Sequence, residues 1–284
     1  MRLPSRSLKY TSIIDAFESL VPLKLADSSW DNVGLLLECW DHESDKDVTD
    51  VLVTVDLTEP VALEAASKGF QMVLAYHPTW FRPMKCLTSR SAPVLSFLAG
   101  KQISVWSPHT ALDNMVGGMN DWVGQSLFPQ SRASLVPMIN NEEEPLAGAG
   151  RLIKFPKDGE QLTVVDVIRK VQSLLEVTHL RYSLAIGKSL DDPVDSVGIC
   201  VGSGSSVLFN KTTSNNPAVF LTGEMSHHDM LRAASEFGTT VILTEHSTME
   251  RAFLKGAFMD GLAKALPSVR FHYSVLDHDP VHFL

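Results

Sequence analysis

Val51-Leu-Val-Thr-Val55, the stretch Glu59 to Lys68, and Val73-Leu-Ala-Tyr-His77 together decide the fold. Val51 to Val55 is a β-rich run that ends at Asp56. Glu59 to Lys68 reads as a helix with Pro60 in its first turn, where a missing N–H leaves no bond unmade. Val73 to Ala75 is a second apolar run. Strand, helix and strand in so short a span form a βαβ unit, and strands joined that way lie parallel. The expected class is α/β. In such sheets ligands collect beyond the carboxyl ends of the strands. His77 stands at one of those ends, directly before Pro78. A histidine buried in a core would fit the same apolar run, and the strand-end position weighs against that reading.

Two other stretches repeat the layout. Ile103-Ser-Val-Trp-Ser-Pro-His109-Thr-Ala-Leu-Asp113 and Val241-Ile-Leu-Thr-Glu-His246-Ser-Thr-Met-Glu250 both run from an apolar strand into a histidine. In both, a carboxylate follows four residues later, a spacing that puts two side chains on one helix face. The repetition points to three strand ends that gather His77, His109 with Asp113, and His246 with Glu250 around metal. Imidazole nitrogen with carboxylate oxygen suits zinc, manganese, iron or cobalt better than calcium. Two such ions bridged by Glu250 or Asp113 would clamp an attacking water and a leaving oxygen. Ser247-Thr248 offers an N-cap to the helix that carries Glu250. The alternative is that these residues are separate capping and packing groups, since no HExxH motif is present.

Working outward, Thr11 to Leu20 has apolar residues at helical spacing (Ile13, Ile14, Phe17, Leu20) and is closed by Pro22. Asp31-Asn32 with Gly34 signals a turn into the strand ending at Leu37. Asp31 is either turn chemistry or the polar wall of a pocket. Asp41 to Asp50 is an acidic loop whose His42 is expected to be solvated. Ser91 to Ala99 reads as a helix capped by Gly100, and a further helix runs through Trp122, Val123 and Leu127. Residues 129–150 hold Pro, Asn-Asn and Glu-Glu-Glu without periodicity, so they are expected to link a lobe at 1–128 to a lobe at 151–284.

The second lobe is expected to open with a strand at Arg151. The stripe Val164, Val167, Ile168, Val171, Leu174, Leu175 marks a helix. His179 to Ala185 alternates like a strand. Val197 to Val201 reads as a buried strand followed by Gly202-Ser-Gly-Ser-Ser206, which matches neither a P-loop nor a dinucleotide fingerprint. Ala218 to Thr222 leads into Gly223-Glu-Met-Ser-His227-His228. Neighbouring side chains diverge on a helix, so at most one of these two histidines faces a site. Ala65 to His77 and Ala233 to His246 both read helix end, turn, strand, histidine. This echo suggests two facing, pseudo-symmetric α/β lobes in a three-layer arrangement, with His77 and His246 on opposite walls of one cleft.

The whole chain bounds these readings. Its 284 residues can bury a substantial core, and 44% apolar with 20% charged residues is ordinary for a soluble globular protein. A net charge of −9 argues against non-specific nucleic-acid binding, which needs a basic surface. The three cysteines are far apart and outside any CxxC pair, which fits a reducing compartment. No apolar run approaches the roughly 18 residues that span a bilayer. Arg2, Arg6 and Lys9 precede the first acid at Asp15. They form either an ordinary basic helix start or a weak mitochondrial presequence, so the expected compartment is the cytoplasm, with the mitochondrion as alternative.

The motifs together resemble the Nif-three-like family (NGG-one-interacting-factor-three), whose bacterial members carry the label GTP cyclohydrolase type-two homologue. The matching segments are Ser29-Trp-Asp-Asn-Val-Gly-Leu, Tyr76-His-Pro, Ser107-Pro-His-Thr-Ala-Leu-Asp113, Gly117-Gly-Met-Asn, Leu221-Thr-Gly-Glu-Met-Ser-His-His-Asp and Glu245-His-Ser-Thr-Met-Glu-Arg251. The resemblance implies two α/β lobes, a dinuclear metal site and a ring-shaped homo-oligomer, commonly a hexamer. It places the metal ligands on His77, Asp113, His246 and Glu250, with His109 beside them. The bacterial pattern has two histidines before the proline where this chain has Tyr76-His77. One metal position is then weaker, or filled by a phenol oxygen or water. No room remains for the middle domain some members carry.

The function expected is a metal-dependent hydrolase of an unknown small molecule, with up to two divalent cations per chain. Proton transfer would fall to His109, His227 or His228. The alternative is a non-catalytic scaffold or transcription co-regulator that acts through protein partners. A metal store is a third option.

Overall fold

A computed structural model describes residues 7–40, 46–82, 84–156, 161–210 and 216–282. The expectations for His42 and for the basic start at Arg2 and Arg6 lie outside the described residues. The chain divides into two compact units. One combines the described residues up to Leu112 with Leu254–His282, and the other is Asp113–Phe253.

The first unit holds a five-stranded sheet in the order Arg270–Tyr273, Asp50–Thr54, Met72–Ala75, Ser104–Ser107, Gly34–Leu37. The first four strands are parallel and Gly34–Leu37 runs antiparallel at the edge. The βαβ unit is as expected: helix Glu59–Ser67 joins Asp50–Thr54 to Met72–Ala75. Alternate residues of a strand face opposite ways. Leu52, Val73 and Val105 pack with Val61, Ala65, Leu95 and Leu98 of the helices Glu59–Ser67 and Pro93–Gly100. On the other face Phe17, from helix Tyr10–Leu20, meets Trp106 at 5.0 Å between ring centroids. Each such fully buried side chain contributes about 1.5–3 kcal/mol. Gly100 is the last helical residue and not the cap expected; the left-handed backbone falls two residues later, at Gln102 (φ 56°).

The second unit holds a six-stranded sheet in the order Arg181–Ser183, Thr240–Leu243, Val219–Glu224, Ser196–Ser203, Gly148–Lys154, Val136–Asn140. Its three strands Thr240–Leu243, Val219–Glu224 and Ser196–Ser203 are parallel, and the other pairings are antiparallel. One face packs Phe220, Val241 and Leu243 with Leu208 and Ala233. Helix Val164–Leu175 buries Val164, Val167, Ile168, Val171 and Leu175, and starts with a capping box in which Thr163 and Asp166 satisfy each other's backbone N–H groups. The segment 129–150, expected to be a bare linker, instead carries strand Val136–Asn140 and the start of Gly148–Lys154. Its polar residues line the hairpin end: the Asn141 side chain accepts from the N–H groups of Glu143 and Glu144 at 2.9 and 3.1 Å. Turn-rich composition concealed the strand, of whose five residues only Pro137 and Met138 are buried.

Among the described residues, no helix is long and apolar enough to cross a membrane.

Candidate metal centre

In the first unit, the backbone N–H groups of Tyr76 and His77 donate to the carbonyls of Thr54 and Val55 at 2.9 and 3.0 Å. The sheet ladder thus continues past the strand end and holds His77 opposite Val55. The Nδ1 atom of His77 is 2.9 Å from Asp56 Oδ1. A carboxylate on Nδ1 fixes the ring and selects Nε2 as the nitrogen for a metal. Asp56 sits in a braced loop. Buried Asp277 accepts from the N–H of Val55 at 2.9 Å and of Asp56 at 3.3 Å, and also from the Tyr273 hydroxyl.

His109 opens helix His109–Asn114 with φ at 30°, an unfavourable backbone for a residue with a Cβ. Its Nδ1 lies 2.7 Å from Asp31 Oδ1, and the other Asp31 oxygen accepts from the Thr110 N–H at 3.2 Å and from its hydroxyl. Burial opposes the charge on Asp31, but hydrogen bonds from His109, the His109 charge, Thr110 and the Asn32 N–H outweigh it and hold the carboxyl below its ordinary pKa. Of the two sequence readings of Asp31, the structure realises a polar contact to His109 as well as a turn. The rings of Trp30, Tyr76, His77 and Phe81 surround the His109 ring at 5.4 to 5.7 Å between centroids. Tyr76 is buried among them at 1% exposure.

In the second unit, His246 follows Glu245, which is left-handed (φ 65°) and held by two hydrogen bonds from Arg181 at 2.6 and 3.0 Å. The Nδ1 atom of His246 is 3.1 Å from Glu224 Oε1, and Nε2 is 3.7 Å from Glu250 Oε1. Glu250 lies on helix Thr248–Phe253 with its side chain 2% exposed. Metal–nitrogen and metal–oxygen bonds of about 2.0–2.2 Å place two donors roughly 3–4 Å apart. His246 and Glu250 therefore fit one divalent cation.

Two glycines make room for this pair. A Cβ on Gly202 would stand 3.0 Å from Glu250 Oε1, and one on Gly223 would stand 2.7 Å from the carbonyl oxygens of Gly202 and His246. The glycine-rich turn after Val201 thus serves the approach of His246 and Glu250, a role its spacing does not disclose.

Asp113 sits near the end of helix His109–Asn114, and its carbonyl accepts from Asn120 Nδ2 at 3.2 Å. The Asn120 side-chain oxygen accepts from the Val201 N–H at 3.0 Å, so Asn120 ties Asp113 to the strand that leads into Gly202. Buried Arg151 braces the same loop. Its Nε donates to Asp121 at 2.5 Å, and its Nη2 reaches the carbonyls of Asn114 and Met115 at 3.4 and 3.2 Å. Burial pushes the Cys200 thiol up to about 12, and the negative charges of Asp113 and Glu250 push the same way. Cys200 is a packed, neutral thiol.

His227 and His228 begin helix His227–Arg232, capped by Ser226. Both are exposed, and their rings meet edge to face at 5.4 Å between centroids. The orienting carboxylates Asp56 and Glu224, the spacer Gly223 and the tie Asn120 had no assigned role from sequence. The one available signal was an acid at or just past the end of a strand, at Asp56 and Glu224.

The geometry defines a class: an α/β protein in which each of three strand-end histidines carries a carboxylate on Nδ1. The chain belongs to the Duf34/NIF3 (NGG1p interacting factor 3) family, whose model matches residues 8–280. The resemblance read from the motifs is thereby borne out. Among relatives, "NIF3-like protein 1" of Drosophila melanogaster is 34% identical over 276 residues, covering 96% of this chain and 88% of that protein. "NGG1-interacting factor 3" of Saccharomyces cerevisiae is 35% identical over 262 residues, with 88% of each chain covered. The crystal structure of a Bacillus cereus protein related to NIF3 superposes with a TM-score of 0.78 over 98% of this chain and 99% of that one, at 19% identity, which establishes the shared α/β fold.

Proposed function

We propose that the chain is a divalent-metal protein whose ligands are His77, Asp113, His246 and Glu250, holding up to two ions of zinc, iron, manganese or cobalt, and that it hydrolyses a small molecule. The observation that carries this is the set of carboxylate–imidazole pairs: Asp56 on His77 and Glu224 on His246 each direct Nε2 away from the partner acid. Isolated capping or packing histidines have no need of such orientation. Metal there would polarise a substrate oxygen and lower the pKa of water.

The chain's own groups supply the rest. His109, held by Asp31, is placed to pass a proton, and exposed His227 and His228 are the other candidates. The aromatic surround of His109 limits access of bulk water on that side. Two pseudo-symmetric lobes and a ring-shaped homo-oligomer, commonly a hexamer, belong to the same reading, in the cytoplasm or the mitochondrion. A second reading, favoured by the name of the yeast relative, is an interaction protein that works through protein partners without turnover.

The test is metal content per chain by mass spectrometry for the wild type and Asp113→Ala, with folding checked by circular dichroism. Near two tightly held ions, lost in the folded variant, supports the centre. Near one ion points to Tyr76 having removed a position. No metal under reconstituting conditions moves the function to the interaction protein.

A further inference from the structure

A cavity of about 340 Å³ opens beside His77 and Asp56 within the first unit. It lies past the carboxyl ends of two adjacent parallel strands, Asp50–Thr54 and Met72–Ala75, the position where open α/β sheets take their ligands. Its size is at the lower end of small-molecule sites. His77 and Asp56 form its titratable wall, and Trp80, Met84, Val94 and Leu95 supply an apolar one. Trp80 is held in place: its carbonyl accepts from Asn32 Nδ2 at 3.0 Å, and its side chain packs on the core of the first unit. Among the described lining residues there is no lysine or arginine. A polyphosphate placed here would find no lysine or arginine among those described lining residues, and phosphate recognition is built on such cations.

We propose that this cavity holds the body of the substrate: a compact, uncharged aromatic or heteroaromatic group whose single polar, metal-seeking end faces His77. It rests on the metal reading above for the polar end and on the cavity alone for the body. Nucleoside triphosphates are outside the proposed class.

Two measurements separate these parts. In the first, the metal-free full chain is labelled with 5-fluorotryptophan, and the Trp80 resonance is assigned through Trp80→Phe. Benzamide is then titrated as a neutral, ring-sized probe. A saturable shift of the Trp80 signal is expected, weakened at least tenfold in Val94→Trp and in Thr58→Trp. Exposed Thr58 and half-buried Val94 both line the cavity; Val94 also packs on the core of the first unit, so circular dichroism checks that each variant folds, and Thr58→Trp tests the cavity without a core contact. No saturable shift, or a shift that survives in both folded variants, overturns the cavity as a binding site.

In the second, the metal-loaded chain is titrated with benzohydroxamate and acetohydroxamate, which share a metal-binding head. Benzohydroxamate is expected to bind at least tenfold tighter, and Val94→Trp is expected to abolish that advantage while leaving acetohydroxamate unchanged. Equal affinities would leave the metal reading standing and overturn the cavity as the seat of the substrate body. Should no metal load, the metal reading fails, and the benzamide titration still decides the cavity.

Discussion

At the scale of single residues, the candidate centre is shaped by groups outside the proposed ligand set. Glu224 holds His246 through Nδ1 at 3.1 Å. Loss of such an orienting carboxylate costs 10- to 100-fold in metal affinity in comparable sites. Glu224→Ala is therefore expected to weaken metal binding by about that factor in chelator competition while the unfolding midpoint in urea stays close to wild type, because Glu224 is exposed. Gly223 is the opposite case. A methyl group there would meet two backbone oxygens at 2.7 Å, and neither is the end of a flexible side chain. Gly223→Ala is expected to destabilise the fold by about 1–3 kcal/mol, read from urea unfolding. It should also disturb metal binding, because one of those oxygens belongs to His246. Neither role is visible in a residue string. A glutamate that ends a strand and the glycine before it carry no mark of which side chain lies across from them.

At the scale of elements, buried strands were the most legible feature. Val51 to Val55, Val73 to Ala75, Val197 to Val201 and Val241 to Leu243 are apolar on both faces because helices cover both faces of parallel sheets. A run of β-branched residues between turn signals has few other destinations. Edge strands were harder. Val136–Asn140 hid in a polar stretch, and Arg270–Tyr273 has an alternating pattern with Arg270 and His272 exposed. Beside its backbone ladder to Asp50–Thr54, that last strand is tied to its neighbour by a charged cluster. Arg270 pairs with Asp50 through two hydrogen bonds, and His272 Nε2 lies 2.9 Å from the same carboxylate.

The hydrogen bonds from Arg270 hold Asp50 far below the ordinary carboxylate pKa, against the opposing effect of burial and with help from Thr49 and His272. A depressed carboxylate stabilises fully above its unfolded pKa of about 3.9 and stops contributing once the pH has fallen through its folded value. The stability difference between wild type and Asp50→Asn, measured by urea unfolding, is expected to favour wild type and to stay flat from pH 7 to about pH 5. It should shrink as the pH falls below about 4. A difference that grows on acidification would reverse the assigned sign.

At the scale of the whole molecule, the two units differ in how they use the chain. Asp113–Phe253 is continuous and holds a complete six-stranded sheet, whereas the first unit needs Leu254–His282 for strand Arg270–Tyr273 and for Asp277, which braces Val55 and Asp56. A chain ending at Phe253 is expected to keep the cooperative urea transition of the second unit and lose that of the first, followed by circular dichroism. The isolated segment 113–253 is expected to fold alone. Retention of both transitions in the truncated chain would show that the terminal strand is dispensable.

The sequence by itself determined the class of the elements, the strand-end positions of His77, His109 and His246, and the family, because those depend on local apolar pattern, turn residues and short motifs. Tertiary structure alone decided three things. It set which acids pair with which histidines, since Asp31 and His109 are 78 positions apart along the chain. It set which glycines face a packed neighbour, as Gly202 and Gly223 do. It sent the last strand back to the first unit. Each of these is a contact between distant segments, and its free energy comes from burial and hydrogen bonds that exist only once the chain has closed on itself.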